Sequence, residues 1–406
     1  MDVTRISLLT GGRDKPYALG LVMALAAAGI QIDFVGSDEL DSPELRGNPQ
    51  ISFLNLRGDQ SVEAGLLPKM ARVLIYYFRL IVYAATARPK IFHILWNNKF
   101  EYFDRTLLML YYKCLGKKII FTAHNVNICE RDGNDSFLNR LSLKVQYRLC
   151  DHIFVHTEKM KDKLVSAFAI PEKKVVVIPL GINNTVPNTT LTRLEARLRL
   201  GLGEADQVIL FFGSIAPYKG LEYLVAAFAA ISKGNSHYRL VIAGKPKGRP
   251  DYWTEVQDLI AGSGVSGRII QKIEFVPDAE TEVFFKAADV LVLPYKHIFQ
   301  SGVLFLGYSF GLPVIAADVG SLKEEIVEGK TGFVFEPKNA GALAGALKNY
   351  FESDLYEQLD FRRREIQDFA NDRYSWSKVV VITTAAYSKF LPAEKLYDAY
   401  YAPEKS

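Results

Sequence analysis

Cysteines, metal-site histidines, long apolar runs and blocks of one charge are all missing or thin in this chain, and each absence closes off a class of function. The three cysteines, Cys114, Cys129 and Cys150, are odd in number and lack metal-site spacing. That disfavours a disulfide framework or a zinc module, and a reducing compartment is expected. The six histidines form no metal pattern either; His152 and His156 are four apart but fall on a strand-like run. No Asp-x-Asp pair occurs. Lys and Arg number 49 against 45 Asp and Glu, a net charge of +4, and are not gathered into one long block, so nucleic acid is not an expected partner. The most hydrophobic window, 66–87, is interrupted by Lys69, Arg72 and Arg79, and no transmembrane span is expected. The opening MDVTRISLLTGG has too short an apolar run for a secretory signal.

What is present is an alternation of strand-like and helix-like stretches, met twice. With 406 residues and a hydrophobic fraction of 49%, the chain can form two or three domains with their own cores. Ile6–Thr10 reads as a buried strand, Gly11-Gly12 follows it, a helix runs from about Lys15 to Ala28, and Ile32–Val35 is the next strand. The glycine pair suits either close approach to a ligand or a tight turn. The full Gly-x-Gly-x-x-Gly fingerprint is absent, which disfavours a nicotinamide dehydrogenase. Further strands are expected at Ile91–Leu95, Lys118–Thr122, His152–His156 and Val175–Ile178, with helices near 102–114, 137–149 and 157–168. Such alternation makes a doubly wound parallel sheet. After Pro179-Leu180-Gly181 the polar INNTVPNTTLT reads as a linker.

The second series comprises Gln207–Phe212, Tyr238–Ala243, Ile269–Phe275, Val290–Leu293, Val314–Ala316 and Gly332–Phe335, with helices between and beyond them. The expected domains are 1–182 and 183–373, with 374–406 crossing back to brace the first. Two Rossmann-like halves would place a cleft between them as the default binding site. Within the second half, the stretch 289–336 organises the reading. Pro294 stops a strand, Ser301 is the expected N-cap, and Val303–Phe310 runs as a helix until Gly311. A helix opening at the carboxyl end of a parallel strand favours anions, phosphate above all, although many such units only pack. Lys219-Gly220 stands at a second helix start, where an ammonium could neutralise a diphosphate.

Helix 66–87 divides when wound at helical spacing: Lys69, Arg72, Tyr76, Arg79 and Tyr83 fall on one stripe, and Leu67, Leu74, Phe78, Ile81 and Ala85 on the other. The apolar side is expected to pack. The cation and phenol stripe suits either plain solvent or an anionic membrane surface.

VVVIPLGIN, FFGSIAPYKGLEYLVAAF, AADVLVLPY, GLPVIAADVGSLKEEI and GKTGFVF, in that order, resemble the nucleotide-sugar-dependent retaining glycosyltransferases of glycosyltransferase family four. The resemblance covers nearly the whole chain and implies an α/β GT-B fold of two Rossmann-like domains. It implies that Lys219 contacts the donor diphosphate, and that Gln300, Ser301, Gly302 and Val303 hold the same phosphates through backbone amides. Val276 and Pro277 would line the nucleobase, Gly11 and Gly12 would face the donor from the first domain, and His124 would lie beside the transferred sugar. Glu324 would cap a helix. Two departures stand out: Ser214 occupies a position where Arg is common, and Ile298 and Leu306 fall where two Glu residues are common.

The implied activity is retaining transfer of a sugar from a UDP- or GDP-linked donor to a glycan or lipid-linked acceptor, without metal or other cofactor, in surface polysaccharide or glycolipid synthesis. The expected location is cytoplasmic, peripheral at the inner face of the plasma membrane. Acceptor contacts are expected from Arg13, Lys15, Asn97, Asn98 and Arg131 in first-domain loops. A nucleotide-sugar epimerase and a catalytically silent nucleotide-sugar-binding subunit remain the alternatives.

Overall fold

The computed structural model describes residues 5–11, 15–60, 66–131, 133–182, 186–249 and 251–391. The chain forms two compact units, one of Met1–Gly181 with the segment from Trp376 onward, the other Ile182–Ser375.

The first unit is a seven-stranded sheet in the order β3-β2-β1-β4-β5-β6-β7, parallel throughout. Its strands are β1 Arg5–Leu9, β2 Gln31–Gly36, β3 Ile51–Asn55, β4 Ile91–Ile94, β5 Lys118–Ala123, β6 His152–Val155 and β7 Val175–Val177. β4 and β6 are buried along their whole length, as strands covered on both faces must be. The sequence reading did not foresee β3, which is half exposed at the sheet edge and lacks a continuous apolar run. Helix Lys15–Ala27 stops where Gly29 (φ +79) lets the Ile30 N–H return to the Leu25 carbonyl. Helices Phe137–Leu149 and Glu158–Phe168 open on Ser136 and Thr157, whose side chains accept from the Asn139 and Met160 N–H groups.

Helix Leu66–Thr86 inverts the expected orientation. Tyr76, Tyr77, Leu80 and Ala84 are buried, whereas Leu67, Leu74 and Phe78 are 78%, 60% and 69% exposed. The reason lies in the sheet beneath it. Asp33 and Ser7 need partners, and Tyr83 supplies a hydroxyl 2.9 Å from Asp33 Oδ2 and 2.6 Å from Ser7 Oγ. Tyr77 likewise donates to Asp104 at 3.0 Å, on the π-helical turn Asp104–Leu108. Buried polar groups take the phenol face because an apolar one would leave them unpaired.

The last helix among the described residues, Trp376–Ser388, belongs to the first unit and packs on helix Lys15–Ala27. The Trp376 ring lies where side chains on Gly20 and Gly181 would be: a Cβ would come within 2.1 Å and 2.8 Å of it. At the other end Tyr387 OH is 2.6 Å from His93 Nδ1, whose Nε2 is 2.7 Å from Thr122 Oγ1.

The second unit is a six-stranded parallel sheet, β10-β9-β8-β11-β12-β13. Its strands are β8 Gln207–Phe212, β9 Tyr238–Ala243, β10 Ile269–Lys272, β11 Val290–Leu293, β12 Val314–Ala317 and β13 Gly332–Phe335. β10 stops three residues before the expected end, in an edge position with little to bury. The segment read as a linker is pinned at Thr189, whose N–H and hydroxyl both reach Glu282 at 2.8 Å and 2.9 Å. Beneath the sheet, Asp289 is wholly buried and accepts from Arg197 at 2.8 Å, Arg193 at 2.5 Å and the Val208 N–H at 2.8 Å. Asp289→Ala would strand the buried Arg197 charge. It is expected to destabilise the chain by about 3–5 kcal/mol, measured as a lower urea midpoint.

Candidate functional site

In the second unit three loops are stitched together at the carboxyl ends of β8, β11 and β12. β8 runs into Gly213, Ser214 and a tight turn Pro217–Lys219, and Gly220 (φ +64) then opens helix Leu221–Ser232. Lys219 therefore stands in the turn just ahead of the helix, two residues before Leu221. β11 leads through Pro294 and Tyr295 to Ser301 and helix Gly302–Ser309. Gly220 joins the two, since a Cβ there would lie 2.1 Å from the Pro294 carbonyl oxygen, and the Lys296 N–H donates to the Tyr218 carbonyl at 2.8 Å. From β12, Gly320 presses on the Ile298 carbonyl, and Ser321 donates to the Phe299 carbonyl from N–H and Oγ, at 2.9 Å and 2.7 Å.

This clamp sets the position of Lys219. The residue is 5% exposed, and its Nζ lies 5.2 Å from the centroid of the Tyr295 ring. A Cβ on Gly213 would come within 2.9 Å of that Nζ and 3.5 Å of Val303 Cγ2, so the ammonium, Gly213 and the first turn of helix Gly302–Ser309 meet at one place. The leading N–H groups of a helix have no intrahelical acceptors. With a buried ammonium beside them they form a positive pocket suited to phosphate oxygens.

Around this point several expected residues behave differently from the sequence reading. Ser301 occupies the N-cap position, but its hydroxyl makes no cap bond and lies 3.3 Å from Tyr295 OH. The Gln300 side chain turns away to Glu325, 3.5 Å distant, leaving its own Oε1 buried without a hydrogen bond. Glu324 is exposed in the turn Leu322–Glu325; the buried carboxylate is Glu325, which accepts from Tyr374 OH and whose pKa burial raises. Ile298 and Leu306 are both buried, so neither offers a polar group. Ser214 is half-buried beside Gly213. Val276, buried, and Pro277, exposed, open helix Asp278–Ala287 beyond β10, two strands from β8.

In the first unit the strand ends carry a second cluster. Gly11 (φ +61) presses on Trp96: a Cβ would lie 2.3 Å from its carbonyl oxygen. The Trp96 ring stacks on His124 with centroids 4.1 Å apart and planes 5° from parallel, and Tyr17 meets His124 edge-on at 4.6 Å. His156 Nε2 is 2.9 Å from His124 Nδ1. Asn98 and Asn97, expected at an acceptor site, are occupied internally. Asn98 Oδ1 accepts from Tyr76 OH at 2.6 Å and Arg57 at 3.2 Å, and Asn97 exchanges amide hydrogen bonds with Gln146. Lys15 is exposed at the start of its helix. Gly12 and Arg13 lie outside the described residues, and so does the side chain of Arg131.

Arg57, Trp96 and His156 were not singled out from sequence. His156 had a legible signal: β5 and β6 are adjacent, Ala123 pairs with Val155, and each strand is followed at once by a histidine. Among the described residues, no three His, Cys, Asp or Glu side chains are grouped to hold a metal ion.

Each unit carries a parallel Rossmann-type sheet, and the second sets a lysine-bearing turn against a helix start. Comparison with known proteins gives the class. Residues 16–186 match the family model "Glycosyltransferase Family 4" and residues 206–353 match "Glycosyl transferases group 1". The chain belongs to this glycosyltransferase family and has its GT-B fold. An uncharacterized glycosyltransferase of Methanocaldococcus jannaschii is 29% identical over 59% of this chain and 60% of its own length. The D-inositol 3-phosphate glycosyltransferase of Jonesia denitrificans is 30% identical over 56% of each. The matches thus span little more than half of these relatives. Sucrose-phosphate synthase from Thermosynechococcus elongatus superposes with a TM-score of 0.75 at 18% identity, covering 95% of this chain and 99% of that one. Anabaena HepE, solved with UDP and glucose, gives 0.71 at 16% identity over 96% and 100%. These likenesses are ones of fold.

Gly220→Ala tests the clamp. A side chain at this left-handed position, driven against the Pro294 carbonyl, is expected to cost at least about 1–2 kcal/mol, read as a lower Tm.

Proposed function

We propose that the chain transfers a sugar, with retention at the anomeric carbon, from a UDP- or GDP-linked donor to a glycan or lipid-linked acceptor. The observation that carries this is the buried Lys219 ammonium set over Gly213 against the first turn of helix Gly302–Ser309. As the bond from the anomeric carbon to the diphosphate breaks, negative charge grows on the departing phosphate. Lys219 and the amides at 301–303 would stabilise that charge without a metal ion, and the same phosphate oxygen would help to take the acceptor hydroxyl's proton. Family membership and the names of the relatives support the reaction class. The HepE structure with UDP and glucose supports the donor class. Leu306 offers no acceptor for a ribose hydroxyl, so nucleotide selection would fall to other groups.

Thermal shift against a panel of nucleoside diphosphates tests the reading, because a ligand of the folded state raises Tm by mass action. UDP or GDP is expected to stabilise the wild type. Loss of one charge-assisted contact in Lys219→Ala is expected to weaken that binding roughly tenfold to a hundredfold, by calorimetry. Equal affinity in the two proteins would remove Lys219 from the site.

We further propose a peripheral place at the cytoplasmic face of a membrane, a reading that the exposed side of helix Leu66–Thr86 supports. Among the described residues no helix is long and apolar enough to cross a membrane. Yet Leu67, Met70, Leu74 and Phe78 all face outward, and residues 64–100 contain six Lys and Arg and no Asp or Glu. Large apolar side chains in a cationic setting suit an acidic lipid surface. Flotation with vesicles containing phosphatidylglycerol is expected to recover the wild type and to lose it about tenfold or more with Leu74→Ser/Phe78→Ser, from the apolar area removed. Equal recovery would mark this face as ordinary surface.

A further inference from the structure

On the loop that follows β11, one residue grips the Lys219 turn at both ends. The Lys296 N–H donates to the Tyr218 carbonyl at 2.8 Å, and the Lys296 ammonium donates to Glu222 Oε1, also at 2.8 Å. Tyr218 immediately precedes Lys219 and Glu222 follows it by three residues, so Lys219 lies between the two points held. The other carboxylate oxygen of Glu222 accepts from Tyr252 OH, on helix Asp251–Gly262. Chemistry sets the direction of that bond. The Leu221 N–H, which can only donate, is 3.0 Å from the same hydroxyl, so Tyr252 accepts from Leu221 and gives its own hydrogen to Glu222. Lys296 Nζ also lies 5.8 Å from the centroid of the Tyr252 ring. Tyr252 is buried, and the Lys296 and Glu222 side chains are only 25% and 24% exposed, which shields the pair from the solvent that weakens surface ion pairs.

We propose that Lys296, Glu222 and Tyr252 are positioning residues that lock the 217–220 turn and so keep the Lys219 ammonium enclosed over Gly213. The turn needs such a brace. Gly220 lets it approach the Pro294 carbonyl but brings no side chain to hold it there, and a lysine on a long flexible stem is confined only where the backbone on either side of it is fixed. The brace joins three elements, the loop after β11, the start of helix Leu221–Ser232 and helix Asp251–Gly262, so none of them can shift without releasing Lys219. Lys296 is thereby committed to the turn, its charge matched by Glu222. Only the identity of the guest that Lys219 awaits, a diphosphate, rests on the glycosyl-transfer reading.

The test labels the amines of the full chain with acetic anhydride, without ligand, and follows Lys219 by mass spectrometry. Lys286, which donates to the Thr189 carbonyl in the same unit, serves as the reference. Lys219 is expected to react about tenfold faster in Lys296→Met, Glu222→Ala and Tyr252→Phe, the change in local opening for one lost charge-assisted hydrogen bond. Lys296→Arg, which keeps a cation on Glu222, is expected to label as wild type does, and Lys286 to stay constant throughout. Calorimetry with UDP and GDP is expected to show about tenfold weaker binding in Lys296→Met, and no further weakening when that substitution is added to Lys219→Ala, because the brace acts through the Lys219 ammonium. Unchanged Lys219 labelling in Lys296→Met would overturn the brace, and in either of the other two variants would remove that residue from it. A parallel rise at Lys286 would also overturn it, as general loosening. An equal loss of affinity in the Lys219→Ala background would overturn Lys219 as its route to the ligand. Enclosure lost as expected in a chain that binds neither nucleotide would overturn the diphosphate as guest and leave the brace standing.

Discussion

The second unit depends on backbone meeting backbone where no side chain intervenes. Gly220 rests on the Pro294 carbonyl, Gly244 on the Gly213 carbonyl, and Gly320 on the Ile298 carbonyl. Each contact brings loops from different strands closer than any Cβ would allow. An ammonium on a long flexible stem is ordinarily a solvated, mobile group. Here the glycines fold the 217–220 turn onto the 294–301 loop, and Lys219 is enclosed between Tyr295 and Gly213. The chemistry proposed for the site requires an ammonium already in place before a phosphate arrives, because preorganised charge is worth more than charge that must be gathered.

In the first unit the same end of the sheet is built from rings. Gly11 admits the Trp96 backbone, Trp96 lies flat on His124, and His156 supports His124 from the side. Arg57 ties the group together, donating to the Gly11 carbonyl at 2.6 Å and to Asn98. His124 Nε2 is buried without a hydrogen-bond partner.

Much of this was legible in the sequence, for identifiable reasons. The parallel strands are short apolar runs covered on both faces, and Val290–Leu293 and Gly332–Phe335 could be read to the residue because Pro294 and the flanking turns bound them. Lys219 and the 300–303 turn were legible through ordered motifs. β3 was not, because a half-exposed edge strand has no continuous apolar signature. Helix Leu66–Thr86 shows a deeper limit. Periodicity separates two faces of a helix but does not say which one the sheet will accept, and here Ser7 and Asp33 beneath it selected the phenols. Asn97 and Asn98 show a related limit: the internal partners of a loop amide, here Gln146, Tyr76 and Arg57, cannot be read from the sequence.

Trp376 fills the gap left by Gly20 and Gly181, and Tyr387 reaches back 294 positions to His93. The N-terminal sheet is therefore finished by a helix that leaves the ribosome only after the whole of Ile182–Ser375. During synthesis that sheet must wait, with the Trp376 slot open and His93 Nδ1 without Tyr387, while all of Ile182–Ser375 emerges and is free to fold first. A ribosome that stalls before residue 376 would release a chain whose second half can be native and whose first half still lacks its closing piece.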